Sequence, residues 1–346
     1  MKRIFLVIIL LIIAATPVKA AEYTAPVAPD SVEELMPAKT ESFGDGLMEI
    51  LKDGIRIIQP QISAAAGTCT ALVGIVMLIS IMKVLPGTTA AVVDLVAVLG
   101  ICTVLLQQTT AMITAATDTV WELSEYGKLL LPVMTAAMAA GGGTTSAPLL
   151  YTATVVFDSL LSRLAVKILV PLVYIFLALA VAVGATGMQR LKKLKDFIKW
   201  LMTWVLKIVL YIFTGYIGIT GVVSGATDAA AVKAAKLTLS GMVPVVGGIL
   251  SDASEAVLVG SGIVKNAAGI YGMLAIIAIV VAPFLKIGVQ YLLLKLTAAV
   301  CSAFECKTAT ELIDSFSGAM GLLLGMTGAM CVMLLVSVAC FMKGVG

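Results

Sequence analysis

The chain has 346 residues, of which 60% are hydrophobic and only 12% charged, and its formal net charge is +3. A soluble domain carries roughly twice that share of charge, and a chain this apolar folded in water would expose large apolar patches, so the bilayer is its natural solvent. With no histidine, Ser-His-Asp and Cys-His catalysis, H-E-x-x-H zinc sites and histidine pH switches are excluded, and the small, scattered charge argues against nucleic-acid binding.

Backbone groups in lipid must be satisfied internally, which leaves helices or a closed barrel. Barrel strands would show ~10-residue segments of alternating polarity. Long unbroken apolar runs appear instead. The fold class is therefore all-α: a polytopic α-helical membrane protein with about six transmembrane helices plus two broken or re-entrant segments. Cys69, Cys102, Cys301, Cys306, Cys331 and Cys340 lie in or beside apolar runs and form no C-x-x-C. They suit small core hydrophobes better than metal ligands, and no cofactor is expected.

Residues 1–20 read as a signal peptide. Lys2 and Arg3 supply the positive start, Ile4 to Ala15 the apolar stretch, and Val18-Lys19-Ala20 the small-residue cleavage site. That stretch is short against the ~20 residues a span needs; an uncleaved anchor is the competing reading. Residues 21–60 form an extracytoplasmic acidic leader, with eight acidic and three basic residues between 22 and 60. Pro26, Pro29 and Pro37 keep its first part extended. Phe43, Leu47, Ile50, Leu51, Ile55 and Ile58 then recur at helical spacing, which predicts an amphipathic helix. Residues 61–346 make up the multi-spanning domain.

Six runs are long enough to cross, at 62–82, 90–108, 164–187, 200–224, 270–294 and 318–342. Between the third and fourth lies QRLKKLKDFIK, residues 189–199, with Arg190, Lys192, Lys193, Lys195 and Lys199 against one acid. Such a cluster belongs in the cytoplasm, and Trp200 and Trp204 follow where indoles favour an interface. Gln107, Gln108, Thr109 and Thr110 mark the outer end of the second run. Parity then requires that 129–160, interrupted by Pro132, Gly141 to Gly143 and Pro148, make no net crossing. It is a re-entrant hairpin or a pair of short spans, and 225–268 is its counterpart. The cytoplasmic loop at 295–317 is weakly marked, with Lys295 and Lys307 against Glu305, Glu311 and Asp314.

The stretch from Thr214 to Asn266 is the most unusual. Gly215, Gly218, Gly221 and Gly225 recur every three or four residues, a small face on which helices pack closely in lipid. Asp228, Lys233 and Lys236 follow, then a short apolar piece broken by Pro244, Gly247 and Gly248, then Asp252 and Glu255 one turn apart. Paired interrupted segments point to a substrate site in transporters. Ser240 and Lys236 have the spacing of a Ser-Lys dyad, a spacing that chance produces often, and no catalytic residue is assigned.

The block GYIGITGVVSGATDAAAVKAAKLTLSGMVPVVGGILSDASEAVLVG resembles the stage III sporulation protein AE family of endospore-forming bacteria. The signal peptide, acidic leader and hydrophobic C-terminal half fit the same family, although the leader is short for it. The resemblance implies an integral membrane component of the sporulation channel or secretion-like complex linking mother cell and forespore, needed for late forespore development. It implies other stage III sporulation membrane proteins as partners and a place in the mother-cell membrane around the forespore. The family supplies no catalytic residues to carry over.

Lys167, Lys207, Lys286 and Lys295 sit in or at the ends of apolar runs. Snorkelling accounts for Lys167, Lys207 and Lys295. Lys286, with Pro283 and Gln290 nearby, lies mid-span, and either Asp94 or Asp158 is its counter-ion; Lys286, Gln290, Asp228, Lys233, Lys236, Asp252 and Glu255 are the candidate pathway or inter-subunit residues. The run 189–199 also offers a dock for a cytoplasmic ATPase or for anionic lipid headgroups. The reading from another class is a free-standing secondary transporter or permease for a small solute or ion, built around the two broken segments.

Overall fold

The computed structural model describes the backbone of residues 26–37, 43–84, 89–242 and 247–343, and the side chains of the same residues except 90–91 and 218–265. The signal peptide expected at 1–20 lies outside the described residues. Among those described there is no strand. A 3-10 turn, Asp30–Leu35, precedes the helices α1 (Phe43–Val84), α2 (Ala90–Ala140), α3 (Ser146–Leu164), α4 (Val170–Thr186), α5 (Gln189–Met242), α6 (Gly247–Ser302) and α7 (Lys307–Lys343). A π-helical turn, Ala165–Leu169, joins α3 to α4. Pro171 accounts for it: proline offers no N–H and its ring crowds the carbonyl four residues back, so the helix widens there. With that pair counted as one rod, six helices among the described residues are long and apolar enough to cross a membrane.

Ion pairs staple the helices at one end. Lys83 Nζ lies 2.7 Å from Asp94 Oδ1, across the connection from α1 to α2. Lys295 pairs with Asp314 across the connection from α6 to α7, and Lys192 reaches Glu311 at 2.8 Å, tying α5 to α7. The connections after Val84, Thr186 and Ser302 therefore share one end of the bundle. Residues 83–94, 187–199 and 295–314 give it eight basic and five acidic side chains. The loop that looked weakly marked lies beside the strongly marked one, and two of its acids are taken up by lysines.

At the other end the stretch 129–160 takes the paired form. Helix α2 runs through Pro132 to Ala140, the chain turns with Gly142 at φ 98°, and α3 returns. Its counterpart is also a handover between two long helices, since α5 ends at Met242 and α6 begins at Gly247; the connection lies outside the described residues. The second run was expected to end near residue 108, yet α2 has 51 residues. At ~1.5 Å per residue it is about 76 Å long, over twice the ~30 Å hydrocarbon core. The polar residues taken for its outer end do not stop it, because Thr109 is buried and Gln108 turns inward to partners within the bundle.

Packing ranks the helices. In their most apolar stretches, 56% of α6 and 50% of α7 is buried, against 22% of α5, so α6 and α7 are the central pair and α5 lies outside. The leader caps the centre: Val32 and Leu35 are buried, and the Ala28 N–H donates to Tyr271 Oη at 3.3 Å. Of the amphipathic stripe, Ile50 and Ile58 are buried, Phe43 and Leu47 pack against the core, and Leu51 and Ile55 stay exposed. That stripe and the first span are one continuous helix.

Candidate functional site: a polar chamber around Lys286

Counting ~1.5 Å per residue from the stapled end, the bundle has a charge-poor band between about 15 and 40 Å. It holds Arg163, Lys167, Lys207 and Lys286, with Lys199 at its near edge. Arg163, Lys167 and Lys207 are exposed on the outer surface of the bundle. Lys286 is half-buried and lines a cavity of about 350 Å³ between α1, α2 and α6.

The cavity follows from the local sequence. Ala64 and Ala65 line it from α1, and their small side chains leave volume that larger ones would fill. Pro60 in α1 and Pro283 in α6 lie one turn or less from Gln61 and Lys286, and each deletes one backbone rung of its helix. Gln61, Gln108, Lys286 and Gln290 supply the polar groups, with Ile58, Met112 and Val289 between them.

These polar groups form a relay across three helices. The Gln290 amide Nε2 donates to Gln108 Oε1 at 3.1 Å, Gln108 Nε2 donates to Thr68 Oγ1 at 2.5 Å, and Thr68 Oγ1 donates to the Ala64 carbonyl at 3.2 Å. Thr68, Gln108 and Gln290 all stand about 18–27 Å from the stapled end by helical rise, so the relay crosses the band at one depth. Two groups are left over. Gln61 Oε1 is buried without a hydrogen-bond partner, and Lys286 has no ion-pair partner among the described residues. A spare acceptor and a spare cation in a cavity of about 350 Å³ make a chamber fit for water or a small polar solute.

The counter-ions expected for Lys286 are engaged elsewhere. Asp94 pairs with Lys83, and buried Asp158 accepts from Ser124 Oγ at 2.7 Å. Lys286 and Gln290 are brought together as the sequence suggests, while Gln61, Thr68 and the inward role of Gln108 were missed. The amide pair Gln107 and Gln108 marked the place, and only the structure shows that the second of the two turns inward. Lys295, expected to snorkel, pairs with Asp314.

The side chains of Asp228, Lys233, Lys236, Asp252 and Glu255 lie outside the described residues, as do Gly218, Gly221 and Gly225. Gly215 is exposed, and a Cβ there would meet nothing within 4 Å. Any helix packed on that position is not part of the described chain. Of the basic run, Arg190, Lys193 and Lys199 are exposed, Lys192 holds Glu311, and Lys195 is buried. Phe197, Trp200 and Trp204 stack in sequence on the outer face of α5, with ring centroids 5.9 and 5.8 Å apart.

The sequence model of the family described as stage III sporulation protein AE matches residues 32–344. Among curated proteins, stage III sporulation protein AE of Bacillus subtilis (strain 168) is 26% identical over 188 residues, 54% of this chain and 47% of the relative. The match thus spans about half the length of that relative. No solved structure matches the chain.

Proposed function

Because the chain belongs to the stage III sporulation protein AE family, and so to a group of proteins of sporulation, we propose that it is an integral membrane component of the channel or secretion-like complex that links mother cell and forespore and supports late forespore development. The observation that carries this reading is the family match over residues 32–344. The stapled end, with its eight basic residues, faces the cytoplasm by the positive-inside rule. The mature N-terminus, after removal of the signal peptide, is then extracytoplasmic, and the membrane is that of the mother cell around the forespore.

Its partners are other stage III sporulation membrane proteins, and the exposed basic side chains of 189–199 offer the dock for a cytoplasmic ATPase. The part this chain plays is non-catalytic. Lys286 and Gln290 line a polar chamber within the membrane, where a half-buried cation without a counter-ion among the described residues serves as a pathway or inter-subunit residue.

The experiment is affinity purification of the tagged chain from sporulating cells. Co-purification of other sporulation membrane proteins is expected; a chain that comes away alone would sink the proposal. The chamber also favours a second reading, a free-standing transporter. In that case the chain purified alone and placed in liposomes moves a small solute or ion, and Lys286→Met abolishes the flux. Orientation is tested by cysteine labelling in a background lacking the six native thiols. Thr144→Cys should react with an impermeant reagent from outside and Lys193→Cys only after permeabilisation; the reverse pattern would overturn the topology.

A further inference from the structure

A second cavity, of about 160 Å³, opens at the stapled end between α4, α5 and α7. Gly184 and Gly187 form part of one wall, and Lys192, Lys195, Lys307, Glu311 and Ser315 face them. Gly187 adopts a left-handed φ of 67° and its N–H closes α4 on the Val183 carbonyl at 2.8 Å. This tight stop lets α5 begin two residues later, beside the start of α7.

Lys195 is the anomaly in this cavity. It is only 7% exposed, and its ammonium donates to Ser315 Oγ at 3.0 Å. Ser315 Oγ in turn donates to the Glu311 carbonyl at 2.7 Å. The Glu311 carboxylate is already held by Lys192 at 2.8 Å, and no carboxylate among the described residues lies within ion-pair distance of Lys195 or Lys307. Buried charges in proteins normally have a counter-charge. Here the protein supplies a hydroxyl and a cavity instead. The first turns of α5 and α7 border the same space, through Gln189 and through Lys307 and Thr308, and helix N-termini favour anions.

We propose that this cavity binds a phosphate-bearing anion, either the phosphodiester of an anionic lipid headgroup or a free phosphate, with Lys195 and Lys307 as its cationic ligands. Lys195 sits about 9 Å along α5 from its start, a depth at which a headgroup phosphate can reach it. Basic pockets between helices at a membrane surface bind such headgroups. The inference stands on the cavity and its lysines and holds whether or not the chain works in sporulation.

The test uses the full chain in nanodiscs of phosphatidylcholine, with or without phosphatidylglycerol, and with inorganic phosphate as a soluble probe. Native mass spectrometry counts the phosphatidylglycerol retained, and the thermal midpoint reports phosphate binding. The wild-type chain should retain phosphatidylglycerol over phosphatidylcholine, or its midpoint should rise with phosphate. The first result assigns a lipid headgroup and the second a free phosphate. Lys195→Gln should weaken the binding about tenfold or more, the loss of one charge-assisted contact. Lys307→Gln, on the exposed rim, reports the same site should Lys195→Gln fail to fold. Lys193→Gln, exposed and outside the cavity, should leave binding unchanged. A wild-type chain that binds neither probe, or Lys195→Gln and Lys307→Gln chains that bind as the wild type does, would overturn the proposal.

Discussion

Two lysines, Lys286 in the chamber and Lys195 in the end cavity, show how this bundle treats a cation away from bulk water. Both lie on faces turned toward other helices, and neither has a carboxylate partner among the described residues. They differ in depth and in neighbours. Lys195 is within about two turns of the end of its helix and has a hydroxyl at 3.0 Å. Lys286 stands about 24 Å in, among amides that are mostly satisfied by one another. Near the end of the bundle an anion can enter from outside to complete the site. Mid-band, the volume itself, about 350 Å³ lined by three glutamines, is what makes a charge tolerable, because it has room for water. The difference teaches that a lysine turned into this bundle is met by a polar cavity rather than by a carboxylate.

That contrast can be broken at several points. The largest effect is expected from Lys286→Met. A side chain of similar length without the charge should abolish heat-resistant spore formation while the thermal midpoint holds or rises, since a cation at mid-membrane costs about 2.5–3.5 kcal/mol on insertion scales. Wild-type spore counts in this variant would remove the chamber from the function. Next comes Gln108→Leu, which leaves the Gln290 amide without its acceptor while Thr68 still donates to the Ala64 carbonyl; calorimetry should show a loss of about 1–3 kcal/mol. Its neighbour Gln107 is exposed, and Gln107→Leu should change stability by less than about 0.5 kcal/mol. Equal losses from the two variants would dissolve the relay. Leaving the Gln107 control aside, the smallest effect belongs to Glu311→Ala. Its pair with Lys192 is partly exposed on both sides, so the loss should stay below about 1 kcal/mol and shrink in high salt. A larger, salt-independent loss would make that end a buried electrostatic core rather than an open pocket.

Much of this was legible in the sequence. The helical fold, the six rods and the sharing of one end by 189–199 and 295–314 follow from apolar run length, parity and charge. Lys286 stood out because it lies well inside an apolar run with Pro283 and Gln290 beside it. What the sequence hid was partnership. A hydropathy window ends where polar residues begin, so Gln107 and Gln108 read as a helix end. In the folded chain one faces outward and the other donates to Thr68 on a neighbouring helix, a contact across 40 residues that no local pattern encodes. The stretch 129–160 was ambiguous for a related reason: Pro132 reads as a break in sequence, yet in the bundle α2 carries it and turns only at the glycines. Asp94 and Asp158 were both plausible for Lys286 by composition, and only packing assigns them to Lys83 and Ser124.

The most direct test is the accessibility of position 286 in the intact membrane. Lys286→Cys, in a chain otherwise free of cysteine, is reacted with a small, membrane-impermeant cationic thiosulfonate, and Phe284→Cys on the exposed side of the same helix serves as the control. A water-filled chamber predicts reaction at 286 and none at 284, with the restored positive charge recovering function lost in the cysteine variant. Protection of both positions, or reaction at 284 alone, would contradict a polar chamber around Lys286.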